Sequence, residues 1–128
     1  MEIQHSEKTL AWQKTVREFV ESLLIPWEIE AELNQGIIPD DIAQNMQTHA
    51  INLGLSRMDA PKAFGGLGMS MVDQLVAWEE LGTVTNALCW CFPEAQEWMF
   101  EACGNSDYQV KNYLQPLMDG HLRECYAI

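Results

Sequence analysis

The sequence predicts an all-α fold, a bundle of five or six helices, orthogonal or up-down, with a short strand-like C-terminal tail. Three observations point to it. Apolar residues recur three and four apart through most of the chain, which is the period of an amphipathic helix. Glycines and prolines punctuate the sequence at helix-length intervals. Finally, 48% of the 128 residues are hydrophobic, including five Trp and seven Met, enough to bury a core without disulfide or metal staples. One domain is expected, with no internal repeat, low-complexity segment or dividing linker.

The first helix follows from SEKTLAWQKTVREFVESLLIPWE. Ser6 is a suitable N-cap, and Val16, Phe19, Val20, Leu23 and Leu24 make an apolar face that is expected to end near Pro26. WEIEAELNQG then reads as an exposed continuation or loop, turned by Gly36. A second helix starts at Pro39, Asp40 and Asp41, two carboxylates at the positive end of the helix dipole, and stops at Gly54. Its face is Ile42, Met46, Ala50 and Leu53. Asp40 and Asp41 are therefore read as caps rather than catalysts.

RMDAPKAFGGLGMS holds Pro61 and three glycines and reads as a loop with special backbone angles. Ser70 and Asp73 resemble a capping box for the next helix, whose apolar face is assigned to Met71, Leu75 and Trp78, with a stop at Gly82. TNALCWCF leads to Pro93, and EAQEWMFEACG ends on Gly104. In NSDYQVKNYLQPLMDG, Ser106 caps, while Tyr113, Leu114, Leu117 and Met118 supply apolar contacts. Pro116 is expected to limit that helix to about two turns. Only the closing CYAI reads as strand.

Charge narrows the function classes. Nineteen acidic against seven basic residues give a formal net charge of −12, which repels polyanions and disfavours nucleic-acid binding. Most carboxylates, Glu79 and Glu80 among them, read as solvated helix surface. The N-terminus does not resemble a signal peptide, and no apolar run approaches the roughly 20 residues needed to span a bilayer. A cytoplasmic protein without membrane insertion is the expectation. Cys89, Cys91, Cys103 and Cys125 then read as reduced, buried thiols.

Residue spacing alone yields no active site. Cys89 and Cys91 are two apart, which sends them to different helix faces, and His5, His49 and His121 are far apart in sequence, so no metal ligand set is expected. FGGLG lacks the spacing and the preceding strand of a phosphate-binding loop and is taken as a turn. Glu79 and Glu80 are adjacent, and successive helix residues do not face one another across a substrate. No catalytic residue is assigned.

The order of the signals, however, resembles the N-terminal helical domain of the acyl-CoA dehydrogenases. Four pieces carry the likeness: VREFVESLLIPWE, INLGLSRMDAPKAFGGLG, AWEELG and GNSDYQVKNYLQPLMDGHLRECYAI. The resemblance covers nearly the whole chain, from about Thr9 to Ile128. The resemblance implies a helical domain over residues 1–122 and, over 123–128, the start of the first strand of a following β-domain. CYAI would then be the seam between two domains, which accounts for a chain that stops on strand-forming residues.

By the same resemblance, the full-length enzyme removes an α-proton from an acyl-CoA thioester with a glutamate base while FAD accepts a hydride from Cβ, and an electron-transferring flavoprotein reoxidises the flavin. The base and most flavin contacts belong to domains outside this chain, which would be inactive alone. Tyr126 and Ile128 match positions beside the flavin; ordinary strand packing is the alternative. Cys89, Phe92 and Gln96 match the lining of the acyl end of the pocket; simple core packing is the alternative. Trp90, Phe92 and Trp98 are bulkier than the residues often found there, which implies a shortened pocket. Family members are usually homo-oligomers. Two other functions stay open: a stand-alone helical module that binds a partner, and a domain of a related flavin-dependent oxidase or monooxygenase.

Overall fold

A computed structural model describes residues 4–91 and 95–123, and every described element is helical or a turn. The helices are α1 (Glu7–Phe19), α2 (Glu28–Leu33), α3 (Asp40–Leu53), α4 (Met71–Leu81), α5 (Glu97–Cys103), and the short α6 (Asp107–Gln109) and α7 (Gln115–Met118). The fold is all-α, as the periodicity predicts. The strand-like tail expected from CYAI lies outside the described residues.

Two compact units divide the chain: Met1–Ala43 with Met69–Trp90, and Gln44–Gly68 with Cys91–Ile128. In the first unit α1 packs on α4. Val16, Phe19, Val20 and Leu24 are buried on the α1 side, and Val76, Ala77 and Leu81 on α4. This corrects the face expected for α4: Met71 and Leu75 are exposed. The helix carries apolar residues around most of its circumference, so periodicity alone does not select a face.

The second unit has its own core of Ala60, Ala95, Phe100, Leu114, Leu117 and Met118, flanked by Phe64, Met99, Cys103 and Val110. The rings of Phe64 and Phe100 lie 5.5 Å apart, within the range of favourable aromatic pairing. Met46, Ala50, Leu55 and Met58 are also buried in this unit.

Three hydroxyl caps sit where the sequence puts them. Ser6, Ser70 and Ser106 accept hydrogen bonds from the amides of Thr9, Asp73 and Gln109, each satisfying one donor that a helix start leaves open. Gly54, at φ 88°, ends α3 in the left-handed conformation expected of a glycine stop.

The prolines behave differently from expectation. Neither Pro26 nor Pro116 stops the helical path. Ahead of each lies a π turn, Val20–Leu24 and Val110–Leu114, in which the amide of the residue before proline donates five residues back: Ile25 to Val20, and Gln115 to Val110. A proline ring collides with the carbonyl four residues before it, and a widened turn moves that carbonyl aside. The path then continues through Ile25–Trp27 into α2, and into α7. WEIEAELNQG, expected as a continuation or loop, is α2 followed by a turn at Gln35 and Gly36, both at positive φ.

Candidate functional site

The most organised polar chemistry lies along the contact of α1 and α4. Gln13 and Arg17 stand four residues apart on α1 and both reach Glu80 of α4. Gln13 Nε2 donates to Oε1 at 2.8 Å, Arg17 Nε donates to Oε2 at 2.9 Å, and Arg17 Nη2 donates to Oε1 at 2.5 Å. Glu80 is only 6% exposed. The Arg17 hydrogen bonds hold its carboxyl below the ordinary range, against the opposing effect of burial. Such a carboxylate stays ionised near neutrality and makes a poor proton acceptor.

Earlier on the same pair of helices, Asp73 ties two helix starts together. Thr9 Oγ1 donates to Oδ1 at 2.8 Å, Ser70 Oγ donates to Oδ2 at 2.9 Å, and Trp12 Nε1 donates to the Asp73 carbonyl at 3.0 Å. The Thr9 bond first, and the Ser70 bond second, lower the Asp73 pKa. An open depression of about 480 Å³ lies beside Glu80, with Gln13, Arg17, Glu21, Glu79 and Thr83 among its lining. Glu80 and Asp73 are both engaged across the helix pair, so their arrangement fixes the orientation of α1 on α4.

In the second unit the glycine loop is closed on itself. Phe64 N–H donates to the Pro61 carbonyl at 2.9 Å, Gly65 to Lys62 at 3.1 Å, Gly66 to Pro61 at 3.2 Å, Leu67 to Arg57 at 2.9 Å and Gly68 to Ala60 at 3.0 Å. Gly66 is required by space, since a Cβ there would lie 1.9 Å from the Ala60 carbonyl oxygen. Ser56, fully buried, donates to the Met118 carbonyl at 2.8 Å, and Arg57 forms an ion pair with Asp119. The amides of Gly65, Gly66, Leu67 and Gly68 are thus all spent on carbonyls of the same segment, which suits a closed turn.

Of the residues singled out from sequence, Gln96 is the best placed for description. It occupies the N-cap position of α5 and is half-buried, directly after Ala95 in the core. Cys89 falls in the 3₁₀ turn Asn86–Cys91, with its side chain outside what is described. The two belong to different units. Phe92, Tyr126 and Ile128 lie outside the described residues, as does the side chain of Trp90, whereas Trp98 on α5 is exposed.

Sequence reasoning missed Glu80, which is buried and paired rather than solvated. The available signal was Gln13 and Arg17 one turn apart on the helix that α4 packs against. Among the described residues, no helix is long and apolar enough to cross a membrane.

Against known proteins, one comparison responds. The family model described as "Acyl-CoA dehydrogenase, N-terminal domain" matches residues 6–121. Neither a curated protein nor a solved structure matches the chain.

Proposed function

Because this chain belongs to the acyl-CoA dehydrogenase N-terminal domain family, we propose that it works as the N-terminal helical domain of a flavin-dependent acyl-CoA dehydrogenase. The observation that carries this reading is the extent of the match, residues 6–121, which includes segments of both compact units. In that role the chain shapes one wall of the substrate cleft, while the catalytic base and most of the FAD site come from other domains. The engagement of Glu80 with Arg17 and Gln13 supports the assignment of the base elsewhere, because a carboxylate held low in pKa is ill suited to removing a carbon-bound proton.

On this reading residues 1–122 are the helical domain and residues 123–128 begin the next one. Cys89, Phe92 and Gln96 face the acyl end of the substrate, and Tyr126 and Ile128 lie at the edge of the flavin. FAD would supply the hydride acceptor. An electron-transferring flavoprotein would serve as its oxidant, and the assembled enzyme would be a cytoplasmic homo-oligomer.

The test is to purify the product from its source cell, weigh it intact, and titrate it anaerobically with acyl-CoA thioesters of graded length. Bleaching of a bound flavin in a product well above the mass of this chain is the expected result. A flavin-free product with the mass of the chain alone would overturn the proposal in favour of a partner-binding module. Rapid reoxidation of the bleached flavin by oxygen would place it instead among oxidases or monooxygenases. A preference for short acyl chains that lengthens in Phe92→Ala is expected if the bulky residues close the pocket; efficient turnover of long chains by the unaltered enzyme would refute that detail.

A further inference from the structure

In the first unit, four large aliphatic side chains recur every fourth residue: Ile25, Ile29, Leu33 and Ile37. They are 41%, 76%, 79% and 71% exposed. Ile29 and Leu33 lie one turn apart on a single face of α2. Leu33 and Ile37 line one open depression of about 550 Å³, together with Glu30, Asn34, Ile38 and Pro39. Single exposed aliphatics are ordinary on a protein surface, but Ile29 and Leu33 on one helix face, with Leu33 and Ile37 sharing one depression, make an apolar strip of three.

Charge identifies what fits it. From Glu18 through Ser56 the chain carries seven carboxylates and no Lys or Arg. Glu30 and Glu32 are exposed beside the strip, and Glu30 is part of the depression itself. Covering the strip removes water from these carboxylates, which is costly unless the covering surface brings cations. A second copy of this chain would set carboxylate against carboxylate if it used the same face, as a two-fold dimer must.

We propose that the Ile29–Ile37 strip is the docking site for a short amphipathic helix of a partner polypeptide, with aliphatic residues on one face and Lys or Arg flanking them. The aliphatic anchors enter the depression at Leu33 and Ile37, and the cations pair with Glu30 and Glu32. The inference does not depend on the acyl-CoA reading, since it uses neither a substrate pocket nor a flavin.

The test uses the full chain and a labelled helical peptide with Leu at i, i+4 and i+7 flanked by Lys and Arg, followed by anisotropy. A scrambled peptide of the same composition and a peptide with Glu in place of the cations are the controls. Preferential binding of the patterned basic peptide is expected. The double variant Ile29→Ser/Leu33→Ser should weaken it by about tenfold or more. Glu30→Lys/Glu32→Lys should weaken it and flatten its salt dependence. All four positions are exposed, so unchanged helicity and melting temperature confirm that the variants fold. Equal binding of the scrambled peptide, no effect of Ile29→Ser/Leu33→Ser, or no binding of the patterned peptide would each overturn the proposal. A concentration-dependent dimer in ultracentrifugation that Ile29→Ser/Leu33→Ser abolishes would overturn it in favour of a second copy.

Discussion

Arg17 and Glu80 join α1 to α4 through two hydrogen bonds, with the carboxylate buried and the guanidinium half in solvent. That asymmetry decides what the pair does. Removing a carboxylate from water is unfavourable, and the Glu80 oxygens regain partners only when α1 brings Arg17 and Gln13 opposite them. The pair therefore specifies how the two helices register more than it adds net stability.

Acid should loosen the first unit. Glu80 and Asp73 both have folded-state pKa values below their ordinary 4.5 and 3.8, Glu80 through the Arg17 bond and Asp73 through Thr9. A depressed carboxylate contributes stability that is present above its unfolded-state pKa and lost as pH falls through the folded one. Denaturant midpoints measured from pH 7 downward should hold until near 4.5 and then decline. In Glu80→Gln the midpoint at pH 7 should be lower and the acid decline shallower.

Substitution of adjacent glycines should give unequal effects. At Gly66 an added methyl meets the Ala60 carbonyl at 1.9 Å, so Gly66→Ala must displace the loop and should be severely destabilising. Gly65 has open space around it but a φ of 83°, so Gly65→Ala should cost only about 1–2 kcal/mol. Thermal melts of the two variants, side by side, check the order.

Ser56→Ala removes the donor to the Met118 carbonyl in a fully buried place. A loss of about 1–3 kcal/mol is expected from the unsatisfied acceptor. Equilibrium urea unfolding should show a lower midpoint with an unchanged slope.

Met118→Ala opens a void in the core that Phe100, Leu114 and Leu117 form with it. The expected loss is about 2–5 kcal/mol. Met118→Leu, which keeps the volume, should cost less than about 1.5 kcal/mol by the same urea measurement.

What could be read from sequence was local. Ser6, Ser70 and Ser106 cap because a hydroxyl three residues before an open amide is sufficient cause, and no distant residue needs to be known. The Gly54 stop is legible for the same reason. Burial of Glu80 was not, because it depends on Gln13 and Arg17, more than sixty residues away in the chain. Nor was the buried face of α4, where apolar residues on several sides leave the choice to the packing of α1. Of the candidate site, only Gln96 and the backbone of Cys89 fall among described residues, and family likeness rather than spacing selected both.

The two π turns also alter how the sequence must be counted. Each holds one residue more than an α turn, and one residue rotates the helix by about 100°. Heptad or hydrophobic-wheel bookkeeping carried unbroken from Glu7 to Leu33 therefore loses phase across Val20–Leu24, and the same happens across Val110–Leu114. Two relatives that differ by a single inserted or deleted residue at either turn could keep every buried side chain in place. An alignment of this chain should allow a one-residue gap there before it accepts a mismatch in the flanking helices.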